Sequence, residues 1–267
     1  MKAAQKTIRL GTHGEQYGNW MPVSMLVMVG GLLALAGAFA ALCFAAFRLN
    51  VPGVLFTLTT LALAAVFCWI AWIRRQFAFG GGGVMERVHQ AILSHLDFDG
   101  KGQILDVGCG SGALSIRAAL VWPQARVLGI DAWPPAYNYS QRMCEKNAES
   151  EGVAVRCCFQ RGDANKLDFP GEYFDAVVSN YVYHNITGAD KQALLLETLR
   201  TLKKGGVFAL NDEMKPRMYG DMEAFAQKLR AMGYEEVRLV DTAREIFGHR
   251  RAARLMLGAS RLLVGRK

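Results

Sequence analysis

A long stretch of this sequence lacks charge. Between Met21 and Ile73 the only ionised side chain is Arg48, and the other Asp, Glu, Lys and Arg residues all lie outside that stretch. Without it, the chain is roughly a quarter charged, as ordinary globular domains are. The 52% apolar content is therefore an average over two unlike parts, a membrane segment and a soluble domain of usual size. That content also excludes a disordered or collagen-like chain. Zinc spacing is absent as well. Cys43, Cys68, Cys109, Cys144, Cys157 and Cys158 form no Cys-x-x-Cys pair and no cluster with histidine, so no metal site is expected. The vicinal pair Cys157-Cys158 is poorly placed for a disulfide, and reduced thiols in a reducing compartment are the simplest expectation. No internal repeat of solenoid period occurs.

What is there begins with two apolar runs, Met21 to Phe47 and Val51 to Ile73, divided only by Arg48-Leu49-Asn50. About 20 apolar residues suffice to cross a bilayer core. The runs predict a transmembrane helical hairpin over 21–75, after an N-terminal tail over 1–20 expected in the cytoplasm. The first run is too long for a signal peptide, and a second follows at once. Lys2, Lys6 and Arg9 before the hairpin, and Arg74 and Arg75 after it, outweigh Arg48 in the turn. The positive-inside rule then puts both ends in the cytoplasm, with Trp20, Trp69 and Trp72 at that interface. The expected protein is an integral membrane protein with two spans and a cytoplasmic domain. Gly30, Ala34, Ala38, Ala41 and Ala45 give the first span a small-residue face. Such a face suits packing against the second span or pairing of two copies, and the tethered span is the nearer partner. No ionisable residue lies mid-span, which argues against transport or proton relay.

Beyond a glycine-rich link over 76–83, residues 84–267 alternate strand and helix signals. An amphipathic helix carries Met85, Val88, Ile92 and Leu96. Strands are expected at 104–107, 127–130, 154–160, 174–179, 207–210, 236–240 and 261–264. Helices are expected at 111–121, 135–151, 190–202 and 221–232. This predicts an α/β domain, a Rossmann-like, seven-stranded and mostly parallel sheet with helices on both faces.

The first strand runs into Asp106-Val107-Gly108-Cys109-Gly110-Ser111-Gly112, and a helix follows. Glycines let the backbone turn tightly and approach a ligand, and the helix start favours an anionic group. Asp131 ends the next strand, where a carboxylate can accept both hydroxyls of a ribose. Dinucleotide enzymes favour GxGxxG, whereas the spacing here is GxGxG. The segment Leu105 to Gly112 resembles the first motif of the class I S-adenosylmethionine-dependent methyltransferases. Val127-Leu128-Gly129-Ile130-Asp131, Gly162-Asp163-Ala164, Phe174 to Asn180 and Leu202-Lys203-Lys204-Gly205-Gly206 resemble the later motifs, in order.

The resemblance covers about Val84 to Lys267 and implies S-adenosylmethionine as cofactor. It implies that Gly108, Cys109, Gly110 and Gly112 line the methionine and ribose, that Asp106 orients the loop and the methionine ammonium, and that Asp131 holds the ribose diol. Ala132 and Trp133 would cover the adenine, Trp133 otherwise serving as a rim packing residue. Asp163, with Ala164, would meet the adenine amino group, or Asp163 would instead cap a turn. Asn180 would close the cofactor set.

Asn180-Tyr181-Val182-Tyr183-His184-Asn185 follows the fourth strand, where open α/β sheets bind ligands. His184, Tyr181 and Tyr183 are the candidate catalytic residues. His184 has the pKa of a general base but also suits a structural hydrogen bond. The tyrosines, two apart, share a face only if the segment is extended. The segment departs from the Asn/Asp-Pro-Pro-Tyr of nucleic-acid amino methyltransferases, which argues against DNA bases. Cys157-Cys158 invites comparison with arsenic methyltransferases, but buried core thiols on opposite strand faces are the expectation.

Positive charge collects at the two ends, at net +5 over 1–80 and +6 over 242–267, around net −3 between them. A nucleic-acid partner would want it near the cofactor loop, so none is expected. Arg250, Arg251 and Arg254 suit either anionic headgroups or a solvated helix face. The expected function is methyl transfer to a small lipophilic acceptor, a phospholipid amine or a quinone precursor. Transfer to a soluble metabolite or protein, and a non-catalytic cofactor sensor, are the alternatives.

Overall fold

The computed structural model describes residues 10–11, 17–46, 50–135 and 138–267. The chain divides into two compact units, Asn19–Val84 and the remainder. Lys2, Lys6, Arg9 and the Arg48 turn, on which the expected orientation rests, lie outside the described residues.

The smaller unit is a hairpin of α1 (Val23–Ala46) and α2 (Val51–Phe77). Both helices are long and apolar enough to cross a membrane. Asn50 caps α2 by accepting the Gly53 N–H at 2.7 Å, the usual use of asparagine at a helix start. The hydroxyls of Thr57, Thr59 and Thr60 donate to carbonyls one turn back, so α2 needs no water for its polar side chains. The helix runs beyond the expected Ile73 through Arg74 and Arg75. The Arg74 guanidinium donates to the Met21 carbonyl, and the Asn19 amide donates to the Arg74 carbonyl at 2.8 Å. The hairpin's two ends are thus tied together.

The helices meet differently from the expectation. Val29, Ala36 and Ala40 are the buried residues of α1, Gly37 faces Thr60, and Phe39 stacks on Phe56 at 5.4 Å. Of the small residues picked from the sequence, Gly30 lies against Phe67, but Ala34, Ala38, Ala41 and Ala45 are exposed. The contact face is still a small-residue one, with Gly30, Ala36, Gly37 and Ala40, but it lies beside the stripe picked from the sequence.

The larger unit holds α3 (Val84–His95), followed by β1 (Lys101–Val107), α4 (Ala113–Val121), β2 (Gln124–Asp131), α5 (Gln141–Ser150), β3 (Cys157–Arg161) and β4 (Phe174–Asn180). After a short 3-10 turn at Tyr183–Asn185 come α6 (Lys191–Arg200), β5 (Leu202–Glu213), α7 (Pro216–Tyr219), α8 (Met222–Ala231), β6 (Glu235–Val240), α9 (His249–Arg254) and β7 (Ser260–Arg266). The seven strands order as β3-β2-β1-β4-β5-β7-β6, parallel except for β7, which runs antiparallel to both neighbours. Leu105, Val107, Val177, Phe208 and Leu210 fill the sheet's interior. The chain order reverses between β1 and β4, the crevice where such sheets hold ligands.

Boundaries shift where local chemistry intervenes. Gly112 is left-handed and delays α4 to Ala113. Ser140 caps α5 by accepting the Met143 N–H, so the helix expected from Pro135 begins at Gln141, and Ala136 and Tyr137 lie outside the described residues. Strand β5 is much longer than expected, twelve residues to Glu213. All six cysteines are free. Cys157 is buried as expected but Cys158 is exposed, because the two point to opposite faces and β3 is the edge strand. The N-terminal segment is not a loose tail where it is described. Leu10 and Tyr17 are buried, and Glu151, just beyond α5, accepts from the Gly11 N–H and the Tyr17 hydroxyl.

Candidate active site

The glycine loop after β1 is possible only with glycine at its contact points. At Gly108, φ is +73°, and a Cβ would fall 2.2 Å from the Val182 side chain. Gly110 is also left-handed, and its N–H donates to Asp131 Oδ2 at 2.9 Å. Asp131 Oδ1 accepts the Trp133 N–H at 2.6 Å, and the Trp133 indole N–H returns to the Gly110 carbonyl at 2.8 Å. Cys144 Sγ approaches the same carbonyl at 3.2 Å. Asp131 and Trp133 therefore clamp the loop. The Trp133 ring packs against the loop, and Ala132 beside it is exposed.

Asp106 lies at the end of β1, fully buried and hydrogen-bonded through Oδ2 to Ser115. Its Oδ1 has no hydrogen-bond partner among the described residues. Burial, seconded by the Asp131 charge, raises its pKa to about 7 against the Ser115 hydrogen bond. Burying an acceptor without a donor is costly, and a cationic group of a ligand would remove that cost. This orphaned oxygen, beside a loop that a Cβ would block, fits the ammonium of S-adenosylmethionine. Asp131 stands at the C-terminal end of β2, where the resemblance expects a ribose contact, and its observed contacts are those of the loop clamp. Burial pushes the Cys109 thiol well up, which leaves it an inert lining residue. Asp163 is exposed, and its Oδ1 accepts the backbone N–H and side-chain amide of Asn165 at 2.9 and 2.7 Å. It therefore caps a turn, with half-buried Ala164 next to it.

On the other side of the crevice, Asn180 ends β4 and accepts from the Asn211 amide at 2.9 Å. Tyr181 has φ +56°, and its hydroxyl pairs with Ser260 at 2.8 Å. Thr242 joins Ser260 to Asn211. Burial raises the Tyr181 pKa, so this phenol is a poor base. Tyr183 is removed from the candidate catalytic set: it is fully buried, and its hydroxyl pairs with Thr198 on α6 at 2.9 Å. The 3-10 turn is the reason, since it breaks the extended geometry under which both tyrosines would share a face.

His184 is the residue that the turn presents. Its Nδ1 pairs with Asp212 Oδ1, and its backbone N–H donates to Asp212 Oδ2 at 3.2 Å. Asp212 also accepts the Glu213 N–H at 2.7 Å and is wholly buried. A buried carboxylate acceptor fixes the imidazole proton on Nδ1 and leaves the lone pair on Nε2, the arrangement of an oriented base. Sequence reasoning missed Asn211, Asp212 and Glu213. A signal existed, three polar residues directly after a buried strand, at the strand end where these sheets bind ligands. Among the described residues, no group of three His, Cys, Asp or Glu could hold a metal ion.

Residues 104–206 match the family model described as a methyltransferase domain. The chain is 29% identical to an uncharacterized methyltransferase of Synechocystis sp. over 55% of its own length and 64% of that relative's. It is 30% identical to a demethylmenaquinone methyltransferase of Symbiobacterium thermophilum over 50% and 51%. The chain thus spans half to just under two thirds of the length of these curated relatives. Among solved structures, geranyl diphosphate C-methyltransferase from Streptomyces coelicolor superposes with a TM-score of 0.52 at 16% identity, over 68% of this chain and 79% of that one. That likeness is one of fold. These matches mark residues 104–206 as a methyltransferase domain, and its ordered motifs, clamped GxGxG loop and orphaned Asp106 oxygen are similar to those of the class I S-adenosylmethionine-dependent methyltransferases.

Proposed function

We propose that this protein is a membrane-anchored methyltransferase acting on a lipophilic acceptor, either a phospholipid amine or a quinone precursor. The observation that carries the reading is the hairpin: two apolar helices of 24 and 27 residues, the first without a charge and the second charged only in its last turn, precede the methyltransferase domain in one chain. Their exposed surface is apolar, with Val27, Leu35, Leu42 and Leu61 each more than half exposed. Such a surface suits lipid rather than water. The N-terminus and the domain lie on the cytoplasmic side in this reading. The exposed Ala34, Ala38, Ala41 and Ala45 offer a surface on which two copies can pair.

S-adenosylmethionine supplies a methyl group already electrophilic on its sulfonium. Asp106 would hold the ammonium, Asp131 the ribose diol and Asp163 the adenine amino group. Gly108, Cys109, Gly110 and Gly112, with Ala132, Trp133, Ala164 and Asn180, would line the cofactor. The domain's own work is alignment, exclusion of water and removal of a proton. His184 Nε2, oriented by Asp212, takes that proton from the acceptor.

The test supplies the purified full chain with methyl-labelled cofactor and either total lipid extract or aqueous metabolite extract. Label is expected in the organic phase. Label confined to the aqueous products would overturn the lipid reading, and tight cofactor binding without transfer to either extract would make the protein a sensor.

A further inference from the structure

Glu213 is the last residue of β5, next to Asp212 and in register with Ser260 of β7. It is 8% exposed, and neither carboxylate oxygen has a hydrogen-bond partner among the described residues. Its neighbours have partners: Asn180, Asn211, Thr242, Ser260 and Tyr181 form one hydrogen-bonded chain, and Asp212 accepts three donors. Burial drives the Glu213 pKa up, against the Lys215 charge, the Ala259 N–H and His184. Neither Lys215 nor Ala259 closes a hydrogen bond to it. A sheltered carboxylate without a donor is costly, and such exceptions at a ligand-binding strand end call for a partner. The Tyr219 hydroxyl, also buried, turns toward Asp212.

We infer that Glu213, together with the His184–Asp212 pair, seats a protonated amine, so that the methyl acceptor is an amine rather than a carbon or oxygen acid. The inference rests on the methyltransferase reading above and decides between its two acceptor classes. Electrostatics favours this side. One acid, Asp212, holds the imidazole, and a second, Glu213, lies within electrostatic reach of it. Activating a hydroquinone there would create an oxyanion next to a second carboxylate, and like charges in a sheltered site repel strongly. An ammonium brings the opposite charge and supplies the donors that Glu213 lacks. In the step, the ammonium gives one proton to His184 Nε2 and recovers its lone pair. The N–C bond forms as the sulfonium S–C bond breaks, and that electron pair stays on sulfur. The product is an N-methylammonium, and the proton leaves through the partly exposed His184 ring.

An amine reaches this seat either as a lipid headgroup or as a free molecule, and the experiment separates the two. The full chain and Glu213→Gln are given methyl-labelled cofactor with phosphatidylethanolamine vesicles, with free ethanolamine and phosphoethanolamine, or with demethylmenaquinol. Label is expected in phosphatidylethanolamine, and Glu213→Gln is expected to raise the amine KM at least tenfold with cofactor affinity unchanged. Without any acceptor, Glu213→Gln should also unfold at a higher temperature, because the orphaned acid is gone. Label in the free amines alone would keep the amine seat and overturn the lipid acceptor. Label in demethylmenaquinol alone would overturn the amine seat and keep the lipid acceptor. Transfer to none of the three would overturn both, and an unchanged amine KM in Glu213→Gln would overturn the role of that residue.

Discussion

The two walls of the crevice are built in opposite ways. The cofactor wall is local: Asp106 to Gly112, Asp131 and Trp133 come from two adjacent strand ends, and their contacts are largely backbone hydrogen bonds. The acceptor wall is assembled from four distant places, around 180–184, 211–213, 242 and 260, and is held largely by contacts between side chains. A wall made of backbone must keep its glycines and its clamp. A wall made of side chains can change partner by single substitutions, which is where a family that shares one cofactor would vary its acceptor.

The comparison breaks most visibly at His184. His184→Ala should lower kcat roughly 10²- to 10⁴-fold, the usual contribution of a general base, and leave the cofactor dissociation constant unchanged. Asp212→Asn should act in the same direction by losing the tautomer. If either variant weakens cofactor binding instead, the walls are not independent. On the other wall, Asp131→Ala removes the acceptor of two backbone N–H groups and should weaken cofactor binding about 100-fold, as equilibrium dialysis would show. Unchanged affinity would deny both the clamp and the ribose contact.

A smaller effect concerns Asp106, whose pKa is raised to about 7 without cofactor. Its protonated form is the one that folding favours. Its contribution to stability is therefore present below the ordinary carboxylate range and is lost as pH rises through 7. An ammonium favours the ionised form, so cofactor affinity should rise about tenfold between pH 5.5 and 7.0 by linkage. Asp106→Asn should flatten that rise in calorimetric titrations. The smallest effect is at Tyr183, whose hydroxyl meets Thr198 in the core. Tyr183→Phe should cost about 1 kcal/mol of stability with activity retained, whereas a large loss of kcat would return Tyr183 to the site.

The sequence disclosed these walls unequally for the same reason. Glycine spacing and a strand-ending aspartate are local patterns, so Gly108, Gly110, Gly112 and Asp131 could be picked out beforehand, as could the seven strands and the two apolar helices. Asp212 could not be paired with His184, since 27 residues, helix α6 among them, lie between the two. The direction of Tyr183 depended on a single turn of 3-10 helix. Asp163 and Trp133 had two open roles, and their hydrogen bonds to Asn165 and Gly110 show the structural contact that each makes. The contact face of the hairpin was misjudged because α1 is small-residue-rich all round, and Ala36, Gly37 and Ala40 form a second such stripe beside the one picked out.

The segment before the hairpin has a topological consequence. Leu10 and Tyr17 are buried and joined to Glu151, so the chain belongs to the larger unit both before Asn19 and after Val84. The hairpin is thus an excursion from within that unit and not an appendage at one end. A protease that cuts once in the Gly80–Gly83 link would sever one strand of a double leash, and the enzyme would stay attached through the buried N-terminal segment until that too let go.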